Sequence, residues 1–309
     1  MERATKFFAV GAVFFSTASL AETPPYYSLQ VLGNIPGGTF ASVAGINNAG
    51  EAVGTVSGPS SVCPVGCAVV WHSGTPTLLG SVVGAVATSG ISINNAGQVA
   101  GIVYTGKSPS YNEQAVIWTN GTPTLLPNPL AQSTVSFATH INDAGAIVGS
   151  ALGSDNAASA IIWNGITPTV LEFLPGYTYA EASGINDNGL VVGNICCDSY
   201  GTYTAVVWHG TTPKLLPLYH QMSSSEAVAV DNAGLVVGKV NDYASAWANG
   251  VATEIGSFNS SATSINNRGN IVGGGEISPD GQQALLWGRI DAQPQELHDL
   301  ITTRTTISF

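Results

Sequence analysis

The sequence is poor in charge, and above all in positive charge. Only 8 of its 309 residues are Lys or Arg, against 19 Asp or Glu, and charged residues make up 9% of the chain. Helical bundles and coiled coils need many charged helix-forming residues, so this composition excludes both. The formal net charge of −11 lacks the basic surface that binds phosphate backbones, which excludes nucleic acid as a partner.

Long hydrophobic runs are scarce as well. The apolar run from residue 7 to residue 15 follows two basic residues and precedes the small-residue ending Ser19 to Ala21. This layout is typical of a secretory signal peptide covering residues 1–21, and the run is shorter than the roughly 20 residues of a spanning helix. We therefore expect a secreted, extracellular or periplasmic protein without a membrane span, with a single domain over residues 22–309.

Cysteine is also rare, and the four cysteines form two local pairs: Cys63 with Cys67, and the adjacent Cys196 and Cys197. Export permits disulfides. The repeats described below place the two pairs far apart, whereas a disulfide requires Cα atoms within about 7 Å, so we predict a bridge from Cys63 to Cys67. The same distance excludes a zinc site made of all four. For Cys196 and Cys197, a vicinal disulfide and two thiols both remain open.

What the chain has in abundance is glycine and repetition. A segment of the type Ile-Asn-(Asn/Asp)-x-Gly occurs in six copies, the fifth of which opens with Val230 and Asp231, at steps of 47, 48, 44, 45 and 35 residues. Asn and Asp bond their own backbone and Gly supplies positive φ, so each copy predicts a tight hairpin turn. The first polar residue and the closing glycine of each copy are Asn47 and Gly50, Asn94 and Gly97, Asn142 and Gly145, Asn186 and Gly189, Asp231 and Gly234, and Asn266 and Gly269.

Each copy continues with an Ala-x-x-Trp run and then a Pro-containing segment. All six tryptophans of the chain occupy this one position, which indicates one core side chain per repeat. The Pro-containing segment, such as Gly74 to Leu79, predicts a second hairpin. Each period therefore holds four strands, which we label a to d, and four strands in roughly 45 residues match a propeller blade. The predicted fold is an all-β propeller of six four-stranded blade repeats.

Closure of the ring leaves two alternatives. Residues 27–32 match strand d, yet the sixth repeat has its own predicted strand d at residues 296–300. Either six blades close and residues 27–32 lie outside them, or a seven-bladed ring is incomplete at the C-terminus by roughly 35 to 45 residues. The surplus strand favours seven blades.

The turn Ile-Asn-(Asn/Asp)-x-Gly-x-x-x-Gly and the Ala-x-x-Trp strand resemble those of the HAF-repeat proteins, a bacterial extracellular family. The resemblance covers residues 27–300 and implies a secreted, propeller-like array, without implying a biochemical activity. The chain departs from the His-Ala-Phe triad of that family, since the corresponding positions read Cys67 to Val69 and Gln114 to Val116. It is thus similar to a divergent member of the family.

No pattern in the sequence predicts catalysis, a cofactor or a metal. The segment from Gly101 to Ser108 fits the Gly-x4-Gly-Lys-Ser spelling of a phosphate-binding loop, but such a loop needs a helix after it, and the repeat continues with a strand. The turn at residues 186–189 offers too few carboxylates for calcium. We expect no catalytic residue, no cofactor and no metal site, and nothing in the sequence indicates an oligomeric state.

The tyrosines give the one signal for a binding surface. Eight of the ten fall in the b–c or d–a connections, which emerge at the same end of a four-stranded blade ring; we call this end the loop face. Variable loops on a rigid scaffold carry binding, and tyrosine suits protein or glycan ligands. The candidate ligand-binding residues are Tyr111, Tyr177, Tyr179, Tyr200, Tyr203 and Tyr243.

Three functions follow as hypotheses. The leading one is a secreted, non-enzymatic protein that binds a protein or carbohydrate ligand. The alternative is an extracellular polysaccharide hydrolase or lyase that uses loop-face carboxylates and tyrosines as acid and base. A third is a spacer within a larger surface structure.

Overall fold

The computed structural model describes residues 27, 30–58, 65–107, 110–130, 133, 135–196, 202–219, 222–276 and 281–300. Over these residues the chain forms six four-stranded antiparallel sheets, each built from four consecutive strands in the order a-b-c-d. Each sheet corresponds to one sequence repeat. Tight turns join consecutive strands, so that each strand pairs with its neighbour in the chain and no crossover is needed.

The strands of the first three blades are β1 (Phe40–Ile46), β2 (Ala52–Ser57), β3 (Cys67–His72), β4 (Thr75–Leu78), β5 (Ala85–Ile93), β6 (Val99–Lys107), β7 (Ser110–Thr119), β8 (Thr122–Leu125), β9 (Ser136–Ile141), β10 (Ala146–Leu152), β11 (Ala158–Asn164) and β12 (Thr167–Val170). Those of the last three are β13 (Tyr179–Ile185), β14 (Val191–Cys196), β15 (Thr204–His209), β16 (Thr212–Leu215), β17 (Ser225–Val230), β18 (Val236–Val240), β19 (Tyr243–Ala248), β20 (Val251–Phe258), β21 (Ser261–Ile265), β22 (Ile271–Gly275), β23 (Gln283–Trp287) and β24 (Gln295–Glu296).

The six blades are arranged in a ring, so the protein is a six-bladed β-propeller and the predicted fold class is confirmed. The predicted end of the sixth blade is partly wrong: strand d is only Gln295–Glu296, and a 3-10 helix follows at Leu297–Leu300. The idea of a seven-bladed ring stays a prediction, because the described residues contain six sheets.

Hydrophobic clusters lie between blades rather than within one central core. Five clusters are each shared by two neighbouring blades, from the first pair to the fifth and sixth. Between the second and third blades, for example, Ala115 packs with Ile141 and Trp163. Contacts between successive repeats therefore supply most of the burial, as in other repeat proteins.

Each a–b turn has the geometry that its sequence dictates. In the first blade the N–H of Gly50 donates to the C=O of Asn47 at 3.0 Å, and Gly50 has a φ of 79°. The Oδ1 of Asn47 accepts the N–H groups of Ala49 and Glu51 at 3.1 and 3.0 Å. The closing glycines of all six turns have φ between 74° and 84°, a region that glycine adopts without a Cβ clash.

The c–d hairpin turns precede the proline instead of containing it. In the second blade the turn consists of Asn120 and Gly121, with φ of 51° and 75°, and Pro123 is already in β8 opposite Trp118. Strand d is the last strand of each sheet, and proline is tolerated on an edge strand because no ladder donor is lost there. The prediction that the proline lies in the turn is therefore wrong: the proline lies in strand d.

A strand-b glycine and a strand-a bulge occur together in every blade. In the third blade Ala138 pairs with Gly149 and His140 with Val148, which leaves Thr139 as the bulged residue. A Cβ on Gly149 would lie 1.8 Å from the carbonyl oxygen of Phe137, and the equivalent distance is 1.9–2.0 Å in the other five blades. The second glycine of the repeat is thus required because the strand-a backbone approaches too closely for any side chain.

The six tryptophans are core residues, as predicted, and none is more than 2% exposed. Each indole N–H also donates to a backbone carbonyl of the chain that precedes its blade. In the second to fifth blades the acceptor follows the preceding strand d, and in the sixth it is Ile255 within that strand. In the second blade, Trp118 Nε1 lies 2.6 Å from the oxygen of Gly80. Each tryptophan therefore binds its own blade to the chain that enters it, in addition to filling the core.

Candidate binding surface

A ladder of hydrogen bonds connects the a–b turns of successive blades. The first Asn of a turn donates through Nδ2 to the C=O of the first turn residue in the next blade, at 2.9–3.1 Å. Asn47 reaches Asn94 in this way, Asn94 reaches Asn142, Asn142 reaches Asn186, and Asn186 reaches Asp231. Asp231 has no side-chain N–H, so this series has four members.

The second residue of each turn adds a parallel series. Its backbone N–H donates to the Oδ1 of the second turn residue in the next blade, at 2.8–2.9 Å, across all five junctions from the first blade to the sixth. This role is not among the predictions from sequence, because local turn chemistry alone explains Asn and Asp at these positions. The restriction of the second position to Asn or Asp is the signal that could have revealed it, because only these residues place an Oδ1 there.

On the loop face, the predicted tyrosines are divided among three blades. Tyr177 lies in the connection between the third and fourth blades, Tyr179 begins β13 and Tyr203 precedes β15. Tyr243 begins β19 in the fifth blade, and Tyr111 is in β7 of the second. Tyr200 lies outside the described residues. The structure thus brings together only the tyrosines that flank the fourth blade.

Tyr179 and Tyr203 form an aromatic pair. Their ring centroids are 6.1 Å apart with an interplanar angle of 87°, an edge-to-face contact. The Tyr179 hydroxyl donates to Glu181 Oε1. Burial raises the pKa of Tyr179 far above its usual value, and the hydrogen bond to the Glu181 carboxylate raises it further. Tyr203 remains 41% exposed, so the pair presents one ring to solvent and holds the other in place.

A shallow cleft lies between the third blade and the connection that leads into the fourth. It has a volume of about 360 Å³ and contains Tyr177, Phe173, Thr178, Asp155 and Ser159 in its lining. Phe173 and Tyr177 also pack on the hydrophobic cluster beneath. Thr178 of this lining directly precedes Tyr179 of the aromatic pair in the chain. The cleft itself therefore combines two aromatic rings, hydroxyl groups and a carboxylate.

The fifth blade carries a separate aromatic contact. Tyr243 packs edge-to-face on the exposed Phe258, with centroids 5.7 Å apart. Tyr219 shares a hydrogen bond of 3.0 Å with the Ser245 hydroxyl, and burial raises its pKa. These residues belong to a different blade from the cleft, so the predicted set does not form one continuous site.

Only two of the four cysteines, Cys67 and Cys196, lie within the described residues. Cys67 begins β3, and Cys63 lies outside the described residues, so the predicted disulfide stays a prediction. Cys196 is buried at the end of β14, where it pairs with Tyr179 across the sheet. Cys197 is outside the described residues, and the state of the adjacent pair stays open.

The opposite end of the ring carries the a–b and c–d turns; we call it the turn face. A second shallow cleft there, of about 340 Å³, is lined by Asn188, His209 and Asn232 among others, between the fourth and fifth blades. Its amides already bond one another, since Asn188 Nδ2 donates to the C=O of Asn232 at 2.9 Å. In the first blade His72 Nδ1 lies 2.8 Å from Glu51 Oε1 at the surface.

Across the part of the chain that the structure describes, no group of three or more His, Cys, Asp or Glu side chains is placed to hold a metal ion. Within the same residues, no helix is long and apolar enough to cross a bilayer.

Comparison with known proteins gives likeness of fold alone. No family model and no curated protein match the sequence. Among solved structures, the chain is similar to the β-propeller domain of the Trilobed protease from Pyrococcus furiosus, with 8% identity, a TM-score of 0.43, and coverage of 88% of this chain and 99% of that one. A puromycin-hydrolyzing peptidase from Mycobacterium tuberculosis gives 12% identity and a TM-score of 0.49, over 80% of this chain and 43% of that one. A gluconolactonase from Xanthomonas campestris gives 11% identity and a TM-score of 0.44, over 87% of this chain and 93% of that one. None of these activities transfers to the present chain at such similarity.

Proposed function

We propose that the protein is a secreted, non-enzymatic binding protein whose ligand, a protein or a glycan, contacts the loop face between the third and fourth blades. Two observations carry this proposal: the cleft at Phe173 and Tyr177, and the Tyr179–Tyr203 pair that follows the cleft residues 177–178 in the chain. Stacked or packed aromatic rings beside a carboxylate provide both apolar contact area and directional hydrogen bonds.

The scaffold supports a binding role because it already fixes these side chains, so little of their conformational entropy is lost when a ligand binds. Tyr179 is held by its contact with Tyr203 and its hydrogen bond to Glu181, and Tyr177 by packing on the cluster below. A surface that is already ordered loses less conformational entropy when a ligand binds.

The tyrosines are poorly suited to the alternative enzymatic role. A tyrosine that acts as a general base needs a pKa near the working pH. Burial instead raises the pKa of Tyr104, Tyr179 and Tyr219, so their hydroxyls stay protonated and serve as hydrogen-bond donors at neutral pH. This direction favours recognition over proton abstraction.

Secretion and membership of the HAF-repeat family belong to the same proposal. The signal-peptide layout of residues 1–21 supports export, and the six turn segments support the family resemblance. Comparing the N-terminus of protein recovered from the medium with that of protein retained in cells tests export, since cleavage after Ala21 is expected.

The binding proposal is tested with a glycan array and a pull-down from native secretions. We expect a ligand that binds the wild-type chain, and at least about tenfold weaker binding of Tyr177→Ala and Tyr203→Ala, as is typical when an aromatic anchor is truncated. The matched control is Phe258→Ala, which removes an exposed aromatic ring from the fifth blade. Absence of any ligand in both assays, or equal losses in all three variants, would contradict the proposal.

A further inference from the structure

The junction between the sixth and first blades differs from the other five. The apolar residue that opens each turn motif packs against the preceding blade, and Ile93, Ile141, Ile185 and Val230 are only 3–9% exposed. The equivalent Ile46 of the first blade is 43% exposed. Val43 on the same strand is half-buried, whereas its counterparts Ala138 and Ala182 are 2% and 0% exposed. The first blade therefore presents to solvent a face that its counterparts bury.

The sixth blade shows the complementary exposure. The alanine that opens strand c is fully buried in the other five blades, at Ala68, Ala115, Ala160, Ala205 and Ala244. Its equivalent Ala284 is exposed. Val272 is half-buried, whereas the matching Val148 and Val192 are fully buried. We call the two sides, with the exposed Ile46 on the first blade and the exposed Ala284 on the sixth, the open junction.

The turn ladder also ends at the open junction, with opposite polarity on its two sides. Asn266 is exposed, unlike the other first turn residues, and within the described chain neither its Nδ2 nor the N–H of Asn267 reaches another blade. On the first blade, the C=O of Asn47 occupies the position that accepts the Nδ2 bond at four other junctions. The Oδ1 of Asn48 occupies the position that accepts the backbone N–H at all five. Donors thus remain on the sixth blade and acceptors on the first.

The outer part of the same junction is already occupied by the N-terminal segment. Trp71 Nε1 donates to the oxygen of Gly33 at 2.6 Å, as each other tryptophan donates to the chain that precedes its blade. The N–H of Gly33 bonds to Gly74, and that of Tyr27 bonds to the oxygen of Leu300 at 2.8 Å. The N-terminal segment therefore takes the place of a strand d between the two blades, and the inner places of strands a to c hold no strand among the described residues.

We propose that the open junction binds a three-stranded unit of this same repeat type, strands a to c with an Asn-(Asn/Asp)-x-Gly turn, presented by a partner polypeptide. Such a unit accepts the two hydrogen bonds from Asn266 and Asn267 and donates two to Asn47 and Asn48. Its apolar faces cover Ile46 and Ala284, as neighbouring blades do elsewhere. An unrelated apolar peptide covers the same apolar side chains. It leaves the two donors on the sixth blade and the two acceptors on the first without partners, which weakens binding.

The test uses the purified chain and a peptide of residues 136–163, which carries strands a to c of the third blade. We expect saturable binding by calorimetry and a rise in the melting temperature of the propeller, because a ligand of the folded state stabilises it. A scrambled peptide of the same composition is the control ligand and should do neither.

Two variants of the chain locate the site. Asn48→Ala removes the acceptor on the first blade and keeps the N–H that bonds to Asn95. Asn266→Asp removes the donor on the sixth blade and keeps the oxygen that accepts Arg268 and Asn270 N–H groups, as Asp231 does at its own turn. Each should weaken peptide binding about tenfold, the equivalent of one buried hydrogen bond, whereas the exposed Asn164→Ala should not.

If the free peptide aggregates, the same test is made with the peptide fused to the chain. Residues 136–163 joined after Phe309 through a flexible linker should raise the melting temperature of the chain, and the same fusion with Asn142→Ala and Asp143→Ala should raise it less. Absence of stabilisation in both formats would overturn the proposal. Stabilisation that is unchanged by Asn48→Ala and Asn266→Asp would overturn it equally. Loss of loop-face ligand binding is a separate readout, since Tyr177 and Tyr203 take no part in this junction.

Discussion

Five blade junctions and the open junction are built from nearly the same sequence segments but differ in burial. At the second-to-third junction Ile141 and Ala115 share a cluster and the turns are linked by three hydrogen bonds. At the open junction the equivalent Ile46 and Ala284 are exposed. The difference teaches that a repeat residue stabilises the fold only where a neighbouring blade covers it. Identical residues therefore contribute different free energies of unfolding in different blades.

The largest expected difference concerns the isoleucine of the turn motif. Ile141→Ala should destabilise the protein by about 3 kcal/mol, because it leaves a cavity between two blades. Ile46→Ala should cost less than about 1 kcal/mol, since that side chain is partly in water. Guanidinium denaturation of both variants measures the difference, and equal losses would contradict the contrast between the junctions.

A second pair tests the opposite change, an increase in volume. Ala160→Leu inserts three carbon atoms at a fully buried position and should cost about 2 kcal/mol through overpacking. Ala284→Leu at the exposed equivalent should stay within about 0.5 kcal/mol of wild type. The free energies of unfolding of the two variants provide the measurement. A loss at Ala284 as large as that at Ala160 would show that the sixth blade is covered in solution.

A third pair isolates one hydrogen bond of the ladder. Asn142→Asp keeps the oxygen that accepts the N–H of Ala146 but removes the donor to the C=O of Asn186, so it should cost about 1 kcal/mol. Asn266→Asp makes the same change where no neighbouring blade accepts the bond in the described chain, and it should be nearly neutral. Thermal melts of both variants at one pH check this, and a reversed order would be incompatible with the ladder.

The smallest expected effect is the pH dependence contributed by His140. Burial lowers the pKa of His140 below its usual value, and the nearby Asp187 carboxylate offsets part of this. As the pH falls through about 6.5, the unfolded chain takes up a proton that the folded chain resists, so stability decreases toward acid. His140→Gln should flatten the fall in melting temperature between pH 7.5 and 5.5; an unchanged slope would mean that other groups cause it.

The fold followed from the sequence because each local signal agreed with the repeat period. Asn47 to Gly50 and its five counterparts predicted the hairpins, and the single position of tryptophan predicted the core. Two details escaped. Pro123 was assigned to a turn, because an edge strand that tolerates proline is known only once the sheet order is known. The sixth strand d was drawn too long, since Leu297–Leu300 turns into a 3-10 helix.

The candidate sites were less predictable, because they depend on how blades meet. Sequence spacing placed Tyr177, Tyr179, Tyr203 and Tyr243 on one face, but only the packing shows that Tyr203 contacts Tyr179 while Tyr243 contacts Phe258. The ladder escaped for a different reason: the same Asn that caps its own turn through Oδ1 also donates to the next blade through Nδ2. The local turn already explains the first Asn completely, so only the restriction of the second position to Asn or Asp indicated a contact with the next blade.

The most direct test of the two kinds of junction is amide hydrogen exchange at the second residue of each a–b turn. The N–H groups of Asn48, Asn95, Asp143, Asp187 and Asn232 each donate to the next blade, so they should be protected well beyond an unstructured chain. The N–H of Asn267 should exchange rapidly. Protection of Asn267 equal to that of the other five would contradict an open junction between the sixth and first blades.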